Sequence, residues 1–230
     1  MALSIQRFVM EFSTVPLVAA CVVGVLRYRR LGGTLRYLVW LSLLALLVTV
    51  GSLVLVHYKR PNLMLAPVDT AIEFTLLALM YRRSLQPSAL TRYLPWAIGA
   101  FLGLSALSLW QALHVVGFSP VQHTVESVAL LALVGVYLRG LLQPPVSLAP
   151  LEREPMFWVS AGLLLYFSGN LLIFLTSNAV LHLSRDISHS VWAIHALLYS
   201  FLNCFYVVAL SVTPRPVPAA EGEPGGVTQS

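Results

Sequence analysis

Apolar runs near the roughly 17–25 residues that a membrane-spanning helix needs recur along this chain, at about 8 to 27, 35 to 57, 65 to 81, 93 to 115, 120 to 138, 156 to 177 and 190 to 212. With 58% hydrophobic and 10% charged residues and a mean hydropathy of +0.81, the composition excludes an ordinary soluble domain. The expectation is an all-α membrane protein, a seven-transmembrane-helix bundle over residues 1–213. The proline-, glycine- and acid-rich remainder, 214–230, buries nothing and is expected to be a disordered tail. Pro67, Pro95, Pro120 and Pro155 fall near the starts of spans, where the N–H that proline lacks has no helical partner to lose.

The placement of arginine sets the expected orientation. Arg27, Arg29, Arg30, Arg36, Arg82, Arg83, Arg92, Arg139, Arg153 and Arg215 share one side of the spans, while the other holds only Arg7, Lys59, Arg60 and Arg185. The basic side is cytoplasmic, so the N-terminus is expected outside and the C-terminus inside, in a multi-pass protein of a bacterial inner membrane. The net charge of +5 is thereby a membrane-face charge and not a footprint for nucleic acid. Cys21 and Cys204 lie in apolar runs with no CxxC or Cys/His spacing and read as small core residues. "VAAC", Val18 to Cys21, resembles a lipoprotein cleavage box, but Glu11 and Pro16 interrupt the supposed signal core and the arginines follow it, as in a retained span.

Polar residues inside spans carry the functional reading. "PVDTAIEFTLLALMYRR" places Asp69 and Glu73 one turn apart on one face of the third helix, and Glu126 sits in the fifth with His123 one turn away. A carboxylate facing lipid at that depth costs several kcal/mol, roughly 2.5–3.5 or more. All three must face the bundle interior, either as structural ties or as a site. All six histidines fall on the outer side under this topology, and His57, His114, His182 and His189 read as interfacial residues. His195 differs, since His195, Tyr199 and Asn203 are four apart and make one stripe on the seventh helix. The sixth offers Tyr166, Asn170 and Thr176 or Ser177. Together Asp69, Glu73, His123, Glu126, Asn170, His195, Tyr199 and Asn203 are the expected lining of an outward-opening ligand cavity.

Chemistry beyond binding is weakly signalled. His123, Glu126 and His195 are the expected ligands of any metal, but there is no HExxH and no HxxxH pair. No Gly-x-Ser-x-Gly, Ser-x-x-Lys or phosphate-binding loop occurs, and no cofactor is indicated. A retinal Schiff base on the seventh helix is excluded because the only lysine is Lys59. Asp69–Pro87 and His123–Pro144 echo each other, both with "LLAL", Tyr then Arg, and Leu-Gln-Pro, with a fainter version in the first span. Three tandem hairpins plus a closing helix would explain this, as would coincidence among Leu- and Ala-rich runs. "GAFLG", Gly99 to Gly103, permits close backbone approach, ordinarily within one chain and otherwise in a homodimer.

"RPNLMLAPVDTAIEFTLLALMY", "FWVSAGLLLYFSGNLLIF" and "WAIHALLYSFLN" resemble an uncharacterised group of seven-span bacterial membrane proteins. In that group a Glu of the third span, a Phe-Trp then Tyr-Phe-Ser-Gly-Asn sixth span and an Ile-His seventh span recur. The resemblance implies Glu73, Asn170 and His195 as the shared polar residues, with Trp158 and Tyr166 packing beside them, and Asp69 departs from its pattern. In topology the chain is also similar to seven-helix receptors and to the sensor modules attached to histidine kinases. The expectation is a sensor or signalling module for a small molecule, lipid or proton, in contact with membrane lipid and with a partner such as a histidine kinase. The alternatives are a metal-dependent lipid hydrolase similar to the seven-helix ceramidase and adiponectin-receptor class, using His195, His123, Asp69, Glu73 and Glu126, or a small transporter.

Overall fold

The computed structural model describes residues 12–60, 62, 64–114, 120–143, 151–181 and 185–212. Among them there are seven α-helices and no strand: α1 Thr14–Arg27, α2 Gly33–His57, α3 Leu65–Ser84, α4 Ala89–His114, α5 Pro120–Leu141, α6 Pro155–Leu181 and α7 Arg185–Ser211. Five of them, α2, α4, α5, α6 and α7, include stretches long and apolar enough to cross a membrane. The other two differ for separate reasons. α1 has 14 described residues, and α3 carries Asp69, Glu73, Arg82 and Arg83 within its 20. The expected tail and His182 lie outside the described residues, as do the side chains of Thr176, Ser177 and His189.

Pro120 and Pro155 are the first residues of α5 and α6, but Pro95 lies inside α4. The helix begins earlier than the proline suggests because Ser88 and Thr91 cap it reciprocally. Thr91 Oγ1 accepts from Ser88 N–H at 2.9 Å and Ser88 Oγ accepts from Thr91 N–H at 3.4 Å, the geometry of a capping box. At the end of α2, Lys59 takes a left-handed φ of 55°. That lets Arg60 N–H return to Leu55 C=O at 2.8 Å and Lys59 N–H to Val56 C=O at 3.0 Å, closing the helix as glycine usually does.

Contacts run α1–α2, α2–α3, α3–α5, α5–α6, α6–α7 and α7–α1, so six helices close a ring. α4 packs along α3 and only grazes α5, outside that ring. It buries the single stripe Leu94, Ile98, Phe101, Ser105 and Ser108, and Trp96 on its outer face is 78% exposed. Gly99 and Gly103 also point outward, and a Cβ built on either would meet nothing within 4 Å. The expectation that GAFLG serves packing within the chain is therefore corrected: the stripe that packs is the one through Phe101. Cys204 is corrected too, being exposed on α7, whereas Cys21 is buried in α1 and its thiol donates to Ser42 C=O at 3.1 Å.

The end of the bundle where α1, α3, α5 and α7 finish is fastened by paired polar groups. Arg27, the last residue of α1, donates to Leu210 C=O at 2.9 Å and to Ser211 C=O, capping carbonyls that the end of α7 leaves without helical partners. Tyr81 OH and Ser160 Oγ share a buried hydrogen bond of 2.8 Å, and the Tyr81 and Tyr137 rings meet edge-on at 6.0 Å. Arg83 lies 4.8 Å over the Tyr37 ring. The α6–α7 seam is close because Gly162 has no side chain: a Cβ there would stand 2.8 Å from Phe205 Cβ. At Gly169 it would collide with Leu198 Cδ1.

Candidate functional site

At the opposite end, where α2 finishes and α3, α5 and α7 begin, the ring encloses a cavity of about 410 Å³. Its walls include Asp69 and Glu73 from α3, His123 and Glu126 from α5, Tyr166 and Asn170 from α6, and His195 from α7. Six of the eight residues expected to line one cavity do so. Tyr199 and Asn203 instead line an adjoining chamber of about 20 Å³, whose wall Asp69 and Glu73 share. The α7 stripe of His195, Tyr199 and Asn203 thus runs from one chamber into the other.

The side chains are oriented by bonds that follow from helix spacing. Thr70 Oγ1 donates to Ala66 C=O at 2.9 Å, which leaves its lone pairs to accept from His123 Nδ1–H at 3.3 Å. The same nitrogen lies 3.7 Å from Glu126 Oε2, three residues along α5. Glu126 is only 2% exposed, and its Oε1 has no hydrogen-bond partner among the described residues. Across the cavity, His195 Nδ1–H donates to Asn170 Oδ1 at 2.8 Å, which sets the imidazole's tautomer and angle. Tyr166 packs beside both His195 and Tyr199, with ring centroids 5.9 and 6.1 Å away.

The residues missed from sequence are structural supports and one member of the small chamber. Gln122 is buried next to His123, and its Nε2 donates to Pro67 C=O at 3.0 Å and Ser105 Oγ at 2.9 Å, locking α5 to α3 and α4. Asn62 donates to Ser52 Oγ at 2.6 Å, pinning the α2–α3 loop at the cavity edge. Tyr206 lines the small chamber, and it extends the α7 stripe by one further turn beyond Asn203, a spacing the sequence does contain. His57 and His114, read as interfacial, are the exposed last residues of α2 and α4.

The metal expectation is not supported. Among the described residues no three His, Cys, Asp or Glu side chains form a group that could hold a metal ion, so His123, Glu126 and His195 do not gather as ligands. A cleft of about 430 Å³ between α2, α3 and α4 is lined by leucines, alanines and other apolar residues and, among the described residues, carries no titratable group. Its two hydroxyl-bearing contacts, Thr75 and Ser105, donate to their own helices.

No family model matches the chain, and no curated protein or solved structure is similar to it.

Proposed function

We propose that the protein is a seven-span inner-membrane binding module, with its N-terminus outside and its C-terminus cytoplasmic, that takes a small, positively charged or hydrogen-bond-donating molecule into the polar cavity. The observation that carries this reading is the cavity's charge pattern. Three carboxylates, from Asp69, Glu73 and Glu126, face a space with no lysine or arginine on its walls among the described residues, and one oxygen of the buried Glu126 has no hydrogen-bond partner among them. An isolated carboxylate in such a place is costly unless it meets a cation, a proton or water. The aromatic faces of Tyr166 and Phe167 on the same wall suit an organic cation further.

The arrangement of α3 supports its crossing the membrane despite its charges. Twenty residues span about 30 Å, the thickness of the hydrocarbon core. Its carboxylates face the ring interior, and Arg82 and Arg83 sit at its end. The arginine-rich end, opposite the cavity, supports a cytoplasmic face there and a cavity opening outward. A signal would leave through that face to a cytoplasmic or membrane partner such as a histidine kinase, and the outward glycines Gly99 and Gly103 offer a surface for a second copy.

A thermal-shift screen of the purified protein against short alkylamines and quaternary ammonium ions tests the ligand class. Stabilisation of the wild type that Glu126→Gln abolishes is the expected result. Stabilisation by anions and not by cations would reject it. A C-terminal alkaline phosphatase fusion is expected to be inactive, and activity would reverse the orientation.

A further inference from the structure

The small chamber between α1, α2, α3 and α7 has its own chemistry. Its volume, about 20 Å³, is room for one water-sized occupant. Asp69 and Glu73 reach it from α3, and Asn203 and Tyr206 from α7. Asn203 is 1% exposed and Tyr206 3%, and both Asn203 Oδ1 and Tyr206 OH lack a hydrogen-bond partner among the described residues. Asn203 Nδ2 is committed to Tyr199 C=O at 2.9 Å, so Oδ1 is the amide atom left for an occupant of the chamber that Asn203 lines. Between apolar Leu17, Leu41, Ala45 and Leu202, the polar side chains on the chamber's wall, those of Asp69, Glu73, Asn203 and Tyr206 with Ser42 and Tyr199, all carry oxygen.

A buried water would satisfy the amide and hydroxyl but would bring no positive charge to Glu73. Among the described residues, neither Asp69 nor Glu73 has a lysine or arginine partner; His123 faces Asp69 as well as Glu126, while the charges acting on Glu73 are the like charges of Glu126 and Asp69. Oxygen donors of mixed charge in a chamber of one-atom size favour a small hard cation over a soft or nitrogen-loving metal. The geometry points to a single Na⁺ site, held by the carboxylates of Asp69 and Glu73, the amide oxygen of Asn203 and the hydroxyl of Tyr206. The chamber shares Asp69 and Glu73 with the larger cavity, but Glu126, His123 and His195 line the larger cavity and not the chamber, so Glu126 separates the two readings.

The test is a melting series of the purified full-length protein in detergent, at constant ionic strength, with NaCl replaced by KCl or by N-methyl-D-glucamine chloride. Na⁺ is expected to raise Tm saturably, by on the order of 5 °C, because a ligand that binds only the folded state stabilises it. K⁺ should do so less, and the large organic cation not at all. Tyr206→Phe and Asn203→Ala should each lose most of the Na⁺ shift, whereas Glu126→Gln should keep it even where it abolishes amine binding. Equal melting in Na⁺ and the organic cation overturns the site, as does a full Na⁺ shift in Tyr206→Phe. A chamber holding only an orphaned hydroxyl makes a different forecast: Tyr206→Phe then melts higher than wild type in every salt. If Asn203→Ala fails to fold, the wild-type series and Tyr206→Phe still decide.

Discussion

The two ends of the bundle handle polar groups in opposite ways. At the arginine end they are spent on each other: Tyr81 on Ser160, Arg27 on the last carbonyls of α7, Arg83 on the Tyr37 ring. At the cavity end Glu126 Oε1 has no partner among the described residues, and nearer the middle neither have Asn203 Oδ1 and Tyr206 OH. A half-satisfied polar network is a poor way to hold helices together in hydrocarbon, because each orphaned group loses its hydration and gains nothing. The described polar groups at the arginine end are thus matched, whereas at the cavity end an unmatched carboxylate oxygen stands beside ties such as Gln122 to Pro67 and His195 to Asn170.

Substitutions can break that contrast, and the largest effect belongs to the seam. Gly162→Leu should cost about 3 kcal/mol or prevent folding, since even a Cβ stands 2.8 Å from Phe205 and α6 and α7 must separate to admit more. Melting curves in detergent would show it. At the same end, Tyr81→Phe removes a buried bond to Ser160 and should cost about 1–2 kcal/mol. Glu126→Gln, at the cavity end, should instead hold stability level or raise it by up to about 1 kcal/mol, because it trades a poorly paired buried carboxylate for a neutral amide. A loss as large as that of Tyr81→Phe would show the cavity to be structural. The smallest expected change is Lys59→Gly. It relieves a left-handed side chain at φ 55°, offset by the freedom glycine gains when unfolded, for a net gain of about 0.5 kcal/mol.

Much of this was legible in the sequence because hydrocarbon leaves few choices. The expected run of about 35 to 57 became Gly33–His57, and about 120 to 138 became Pro120–Leu141, since a spanning helix has a length set by the bilayer. The inward placement of Glu126 and Asn170 followed from the cost of turning them to lipid. What the sequence hid depends on helix rotation and on contacts between distant spans. Nothing local says that α4 lies outside the ring, or that Gly99 and Gly103 face outward while Gly162 and Gly169, in an equally apolar run, make the tight seam. Nor does the spacing of His195, Tyr199 and Asn203 reveal that the stripe crosses between two chambers. Cys204 was misplaced for the same reason: one step around α7 from buried Asn203, it faces away.

The Arg27 cap has a consequence for the order of assembly. Its carbonyl partner Leu210 is 183 residues further along the chain. At about 5–20 residues per second of synthesis, α1 waits on the order of ten seconds or longer for the helix it is built to meet. Until then the carbonyls it caps do not exist, and the ring stands open on one side. The bundle is thus a clasp whose first half is made early and whose second half is made last.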